Sequence, residues 1–75
     1  MEVMNKMKLK INGEFESIDE LDLTVTKLLG IKNVKMPEMV SVELNGDILD
    51  RDVFDTTPLK ENDEVEFLYF MGGGL

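Results

Sequence analysis

The residues best equipped for chemistry stand at the C-terminal end, Met71-Gly72-Gly73-Gly74-Leu75. Glycine has no Cβ, so a run of it can thread a channel too narrow for side chains. The residues beyond Met71 span up to roughly 13–14 Å, enough to carry an acyl group into another protein's active site. An unhindered glycine carboxylate is also the easiest one for ATP to adenylate. Fraying of a glycine-rich end is the bland alternative. Little else in the chain can react. There is no Cys and no His, which removes thiolate chemistry, disulfides, the commonest metal ligand and the usual general base near neutral pH. Acidic clusters occur at Asp19-Glu20-Asp22 and Glu61-Asp63-Glu64-Glu66. Neither has the spacing of a calcium loop, and both read as solvated faces. Asp50 and Asp52 resemble a glycosidase carboxylate pair only in residue type, because no cleft is expected to raise the pKa of one of them.

The chain has 75 residues, room for one domain. A deep pocket with several convergent catalytic groups is not expected at that size. Eight Lys+Arg against sixteen Asp+Glu give a net charge of −8. That field repels nucleic acid and anionic membrane surfaces, and it attracts a partner with a basic face. A hydrophobic fraction of 43% is that of an ordinary globular domain rather than a disordered chain. No apolar run approaches the roughly 20 residues of a membrane span, and the first residues do not read as a signal peptide. A soluble cytoplasmic protein is the default expectation. No metal and no bound cofactor are expected.

The elements that must position the tail are legible from hydropathy alternation. Met7-Lys8-Leu9-Lys10-Ile11 and Glu14 to Ile18 read as strands joined by the hairpin turn Asn12-Gly13, with Met7, Leu9, Ile11, Phe15 and Ile18 facing inward. Thr24 reads as a helix N-cap, with Val25, Leu28 and Leu29 at helical spacing, and Ser17 and Asp22 are competing cap candidates. Gly30 is a candidate C-terminal cap, the alternative being a helix that runs on to about Asn33. Asn33 to Glu38 is a loop stiffened by Pro37, and Met36 and Met39 beside it form a soft exposed patch. Val40, Val42 and Leu44 face inward on a third strand, Asn45-Gly46 turns the chain, and Asp47-Ile48-Leu49 returns it. Asp52 to Asp55 forms a single helical turn anchored by Phe54, and Leu59 is buried. Glu64 to Phe70 is the longest strand. On it Val65, Phe67 and Tyr69 are assigned to the core, and Leu68, Phe70 and Met71 to a partner-binding surface, since successive side chains point to opposite faces. The layout β-β-α-β-β-turn-β predicts an α+β fold: a β-grasp, ubiquitin-like roll in which one main helix covers a mixed sheet of about five strands. Residues 1–71 form the domain and 72–75 a flexible tail.

The segment Val42-Glu43-Leu44-Asn45-Gly46-Asp47-Ile48-Leu49-Asp50-Arg51-Asp52-Val53-Phe54 resembles the hairpin of the ThiS family, the sulfur carriers of thiamine thiazole synthesis. The segment from Leu59 to Gly74 is similar to that family's final strand and tail. The resemblance covers the chain from Met7 onward. It implies that the carrier performs no catalysis. Its terminal glycine carboxylate, here Gly74, is adenylated by an E1-like, ThiF-type enzyme using Mg-ATP. Sulfur from a cysteine desulfurase or rhodanese-type donor then displaces AMP to give a thiocarboxylate. A ThiG-type thiazole synthase takes that sulfur. Gly72, Gly73 and Gly74 occupy the partner's channel. One departure stands out: Leu75 follows Gly74, and a peptide-bonded glycine has no carboxylate to adenylate. Either a peptidase removes Leu75 or the uncut chain is not a competent carrier. Two alternatives stay open. One is a carrier for molybdopterin, cysteine or homocysteine synthesis, or a ubiquitin-like modifier. The other is a non-catalytic ubiquitin-like binding domain with an inert tail.

Overall fold

A computed structural model describes residues 6–69. The first hairpin pairs β1 (Lys6–Ile11) with β2 (Glu14–Asp19), antiparallel, through Asn12 and Gly13 at φ 52° and 87°. Helix α1 (Val25–Ile31) follows, then a 3₁₀ turn at Pro37–Met39. The second hairpin joins β3 (Val40–Leu44) to β4 (Asp47–Leu49) through Asn45 and Gly46 at φ 53° and 91°. A second 3₁₀ turn at Arg51–Val53 leads toward β5 (Glu64–Tyr69). Both Asn-Gly pairs take the left-handed conformations that a two-residue hairpin needs for its twist to match that of its strands.

The sheet order is β2-β1-β5-β3-β4. The last strand therefore lies at the centre, parallel to β1 and antiparallel to β3. With α1 packed on one face, this is a β-grasp roll. The core comprises Leu9 and Ile11 of β1, Ile18 of β2, Val40 and Val42 of β3, Val65 and Phe67 of β5, and Val25, Leu28 and Leu29 of α1. Leu23, Phe54 and Leu59 close it from the loops. Each fully buried Leu or Val contributes about 1.5–3 kcal/mol relative to an exposed one.

The structure corrects the inward assignment of Phe15. Phe15 is 63% exposed. Ile18 sits opposite Met7 on the inner face, so parity puts Glu14 and Glu16 there and turns Phe15 outward. Its ring lies under the ammonium groups of Lys8 and Lys10, 5.2 and 5.6 Å from its centroid. Glu16, on the inner side near the sheet edge, meets Lys32 at the end of α1 with N–O distances of 2.6 and 2.8 Å. Met7 and Leu44 do face inward, half-buried against the core.

Thr24 caps α1, its hydroxyl accepting the Lys27 N–H. The helix does not end on Gly30. Asn33 takes the left-handed conformation at φ 56°, with backbone bonds from Asn33 to Gly30 and from Val34 to Leu29. The helical turn expected from Asp52 begins one residue earlier, at Arg51, and holds Phe54 in the core.

Candidate functional site

The site is the end of β5 from which the glycine segment departs. Phe70, Met71, Gly72, Gly73, Gly74 and Leu75 lie outside the described residues, as does the proposed division into a domain and a tail at residue 71. What the structure gives is the platform.

Asp63 and Val65 carbonyls accept from Lys10 and Asn12 on the β1 side. The Asn12 side-chain oxygen then accepts the Phe67 N–H at 2.8 Å. Beyond Asn12 the chain has turned away into β2, so β5 runs on past β1. Its remaining neighbour is β3, where Ser41 faces Leu68 and Val40 faces Tyr69. The chain thus leaves from the middle of the sheet, at the end where β3 begins.

That end is braced by Arg51. Its guanidinium donates to the Pro37 carbonyl at 2.8 Å and to the Val40 carbonyl at 2.7 Å, and it lies 5.4 Å from the centroid of the Phe54 ring. One side chain therefore ties the second 3₁₀ turn to the first and to the start of β3. Sequence reasoning placed Arg51 in a hairpin resemblance and assigned it no task. Its planar five-donor fork, suited to bridging two carbonyls, was the available signal.

Around this end the surface is apolar. Leu68 is exposed on the outer face of β5. Tyr69 has the parity of the core residues Val65 and Phe67 but is 53% exposed, so its core assignment is corrected. Val40, opposite it on the same face, is fully buried, so the inner face becomes exposed at Tyr69 itself. Met36 and Met39 are also exposed, and Met39 donates its N–H to the Met36 carbonyl at 2.8 Å. Leu68 and Tyr69 thus close β5 beside the start of β3, which Met36 and Met39 precede.

The central outer face is acidic, with Glu43 opposite Glu66 and with Glu64 beside Lys10. Among the described residues no group of three acidic side chains converges to hold a metal ion, and no helix is long and apolar enough to cross a membrane.

A model of the ThiS family matches residues 3–74. The chain belongs to the ThiS family. A crystal structure of the thiamine biosynthesis protein ThiS from Geobacter metallireducens is similar to this ThiS-family chain over 91% of its length and 100% of that protein, with 51% identity and a TM-score of 0.81. A solution structure of a thiamine biosynthesis protein from the same organism matches 92% of this chain and 90% of that one, at 50% identity and a TM-score of 0.75. A thiazole synthase of Magnetococcus marinus contains a stretch 32% identical over 68 residues, which is 91% of this chain. This chain spans 20% of that protein's length.

Proposed function

We propose that this ThiS-family chain is a sulfur carrier for thiazole formation in thiamine biosynthesis, a protein co-substrate rather than an enzyme. The observation that carries this reading is a central last strand of a β-grasp sheet that is followed in the sequence, after Phe70 and Met71, by Gly72-Gly73-Gly74. The Gly74 carboxylate, once free, attacks the α-phosphate of Mg-ATP in an E1-like enzyme, releasing pyrophosphate and leaving an acyl-adenylate. A persulfide sulfur from the donor protein attacks the acyl carbon and AMP departs. A second thiol, required as reductant, then attacks the donor's sulfur in the resulting acyl disulfide, forms a disulfide with the donor and releases the thiocarboxylate, whose sulfur a thiazole synthase consumes. The synthase from Magnetococcus marinus, with a stretch similar to nearly all of this chain inside one longer polypeptide, supports a synthase of that type as the consuming partner. The chain contributes an acyl group and a rigid handle. Mg-ATP is bound by the activating enzyme.

Leu75 blocks the first step, so the reading includes its removal by a peptidase. The test compares chains ending at Leu75 and at Gly74, each incubated with the activating enzyme, ATP and a sulfur donor. Intact mass should rise by about 16 Da, sulfur for oxygen, only on the chain ending at Gly74. A rise on the uncut chain overturns the trimming step. No rise on either chain overturns the carrier reading.

A further inference from the structure

Gly30 sits in the last turn of α1, and nothing in the fold requires a glycine there. Its φ is not positive, the left-handed position belongs to Asn33, and a Cβ added at Gly30 would meet no atom within 4 Å. A glycine inside a helix destabilises it by roughly 0.5–1 kcal/mol relative to alanine. Gly30 does line a cleft of about 190 Å³ between α1 and the Pro37 turn. Thr26, Leu29, Gly30, Val34 and Pro37 line it, and Thr26 supplies the only polar side chain. A dry cavity of about 150 Å³ accommodates a benzene ring, so this cleft has room for one Leu, Met or Phe side chain.

The cleft lies near the root of the glycine segment. Pro37 is three residues from Val40, at most about 11 Å of chain, and Val40 lies opposite Tyr69, a separation of about 5 Å. A protein interface of about 800 Å² per partner corresponds to a disc of roughly 16 Å radius. A partner that takes hold of the chain just past Tyr69 therefore has enough reach to cover the cleft as well.

We propose that this cleft receives one apolar side chain of the thiazole synthase that takes sulfur from the carrier. The inference rests on the carrier reading and deepens it by locating a second point of contact beside the tail. Two observations favour this occupant. A stretch similar to 91% of the chain shares one polypeptide with a thiazole synthase, so the two bodies operate side by side in that protein. A second copy of this chain is disfavoured, since each carries a net charge of −8.

The test uses the full chain and its Gly30→Ala and Gly30→Leu variants, titrated calorimetrically against the thiazole synthase of the same organism. Gly30→Leu fills the cleft and should weaken binding at least tenfold. Gly30→Ala, with one methyl group, should weaken it less. Neither variant should lower the denaturation midpoint, and adenylation of the chain ending at Gly74 should keep its wild-type rate. Unchanged affinity for the synthase in Gly30→Leu overturns the proposal while leaving the carrier function intact. Loss of adenylation with synthase affinity preserved assigns the cleft to the activating enzyme and also overturns it. A wild-type dimer that Gly30→Leu dissolves, or a wild-type end that becomes more accessible to carboxypeptidase in Gly30→Leu, gives the cleft to a second copy or to the chain's own Leu75, and either result overturns it. No binding of the wild-type chain to the synthase at all overturns the carrier partnership together with the cleft.

Discussion

Arg51 shows how a single side chain can hold the working end of this molecule together. Its two hydrogen bonds to main-chain carbonyls secure the Pro37 turn and the start of β3, the strand on which the end of β5 leans. A hydrogen bond from a charged donor contributes about 1.5–3 kcal/mol. Arg51 is exposed, so the lower part of that range applies. Arg51→Ala should lower unfolding free energy by about 1–2 kcal/mol in urea titration, with the stacking on Phe54 lost as well. Arg51→Lys should recover less than half of that loss, because an ammonium group lacks the fork that spans two carbonyls. Full rescue by Lys would show that charge alone matters there. At the same scale, Phe15 and Tyr69 explain where sequence reading ran short. Phe15 and Ile18 are three apart, so strand parity forbids both from facing inward, and the hydrophobicity of Phe15 concealed this. Tyr69 has the correct parity and pairs with the fully buried Val40, yet it is exposed itself, and alternation carries no information about where along a strand burial ends.

Elements were more legible than individual side chains. Both Asn-Gly turns, the Thr24 cap and the central last strand follow from local chemistry: left-handed turn residues, a hydroxyl preceding a helical repeat, and a dense apolar run. The end of α1 was ambiguous because Gly30 and Asn33 are both good cap residues, and only the backbone decides between them. Leu23 escaped notice because it follows an acidic stretch that reads as solvent-facing, yet it is almost fully buried. The Asn12 side chain could not be anticipated in its second task. Besides forming the turn, it continues the β1 edge by accepting the Phe67 N–H. Asn12→Gly keeps the turn conformation and removes that acceptor, leaving a half-buried donor unpaired. It should cost about 1–2 kcal/mol in thermal or urea unfolding. Hydrogen exchange at the Phe67 amide should rise by more than at Val65. Equal exchange at both sites would show that the bond does not secure the end of β5.

At the scale of the whole molecule, charge and topology act together. A net charge of −8 on a chain of 75 residues sets up a field that orients the approach of basic partner surfaces. Association rates with the activating enzyme or the synthase should fall steeply between about 0.01 and 0.15 M ionic strength, as the Debye length shrinks from about 30 to 8 Å. Dissociation rates should change far less. A stopped-flow series across salt separates the two. An association rate independent of salt would mean that the acidic surface does not guide the encounter. The candidate site itself was legible only as a location. The glycine run gives the expectation that the end of β5 is the place, whereas the roles of Arg51 and Asn12 and the exposure of Tyr69 depend on which loops the topology brings to that end of the sheet.

The position of β5 between two neighbours also has a mechanical consequence. Traction on the C-terminus is taken up along a strand flanked by β1 on one side and β3 on the other, so their hydrogen bonds are loaded in shear and resist together. An edge strand under the same pull would unzip one bond at a time. On the proposed carrier reading, a partner that pulls on the glycines loads the sheet in this way, and the body of the protein stays folded behind them like the grip on a cord.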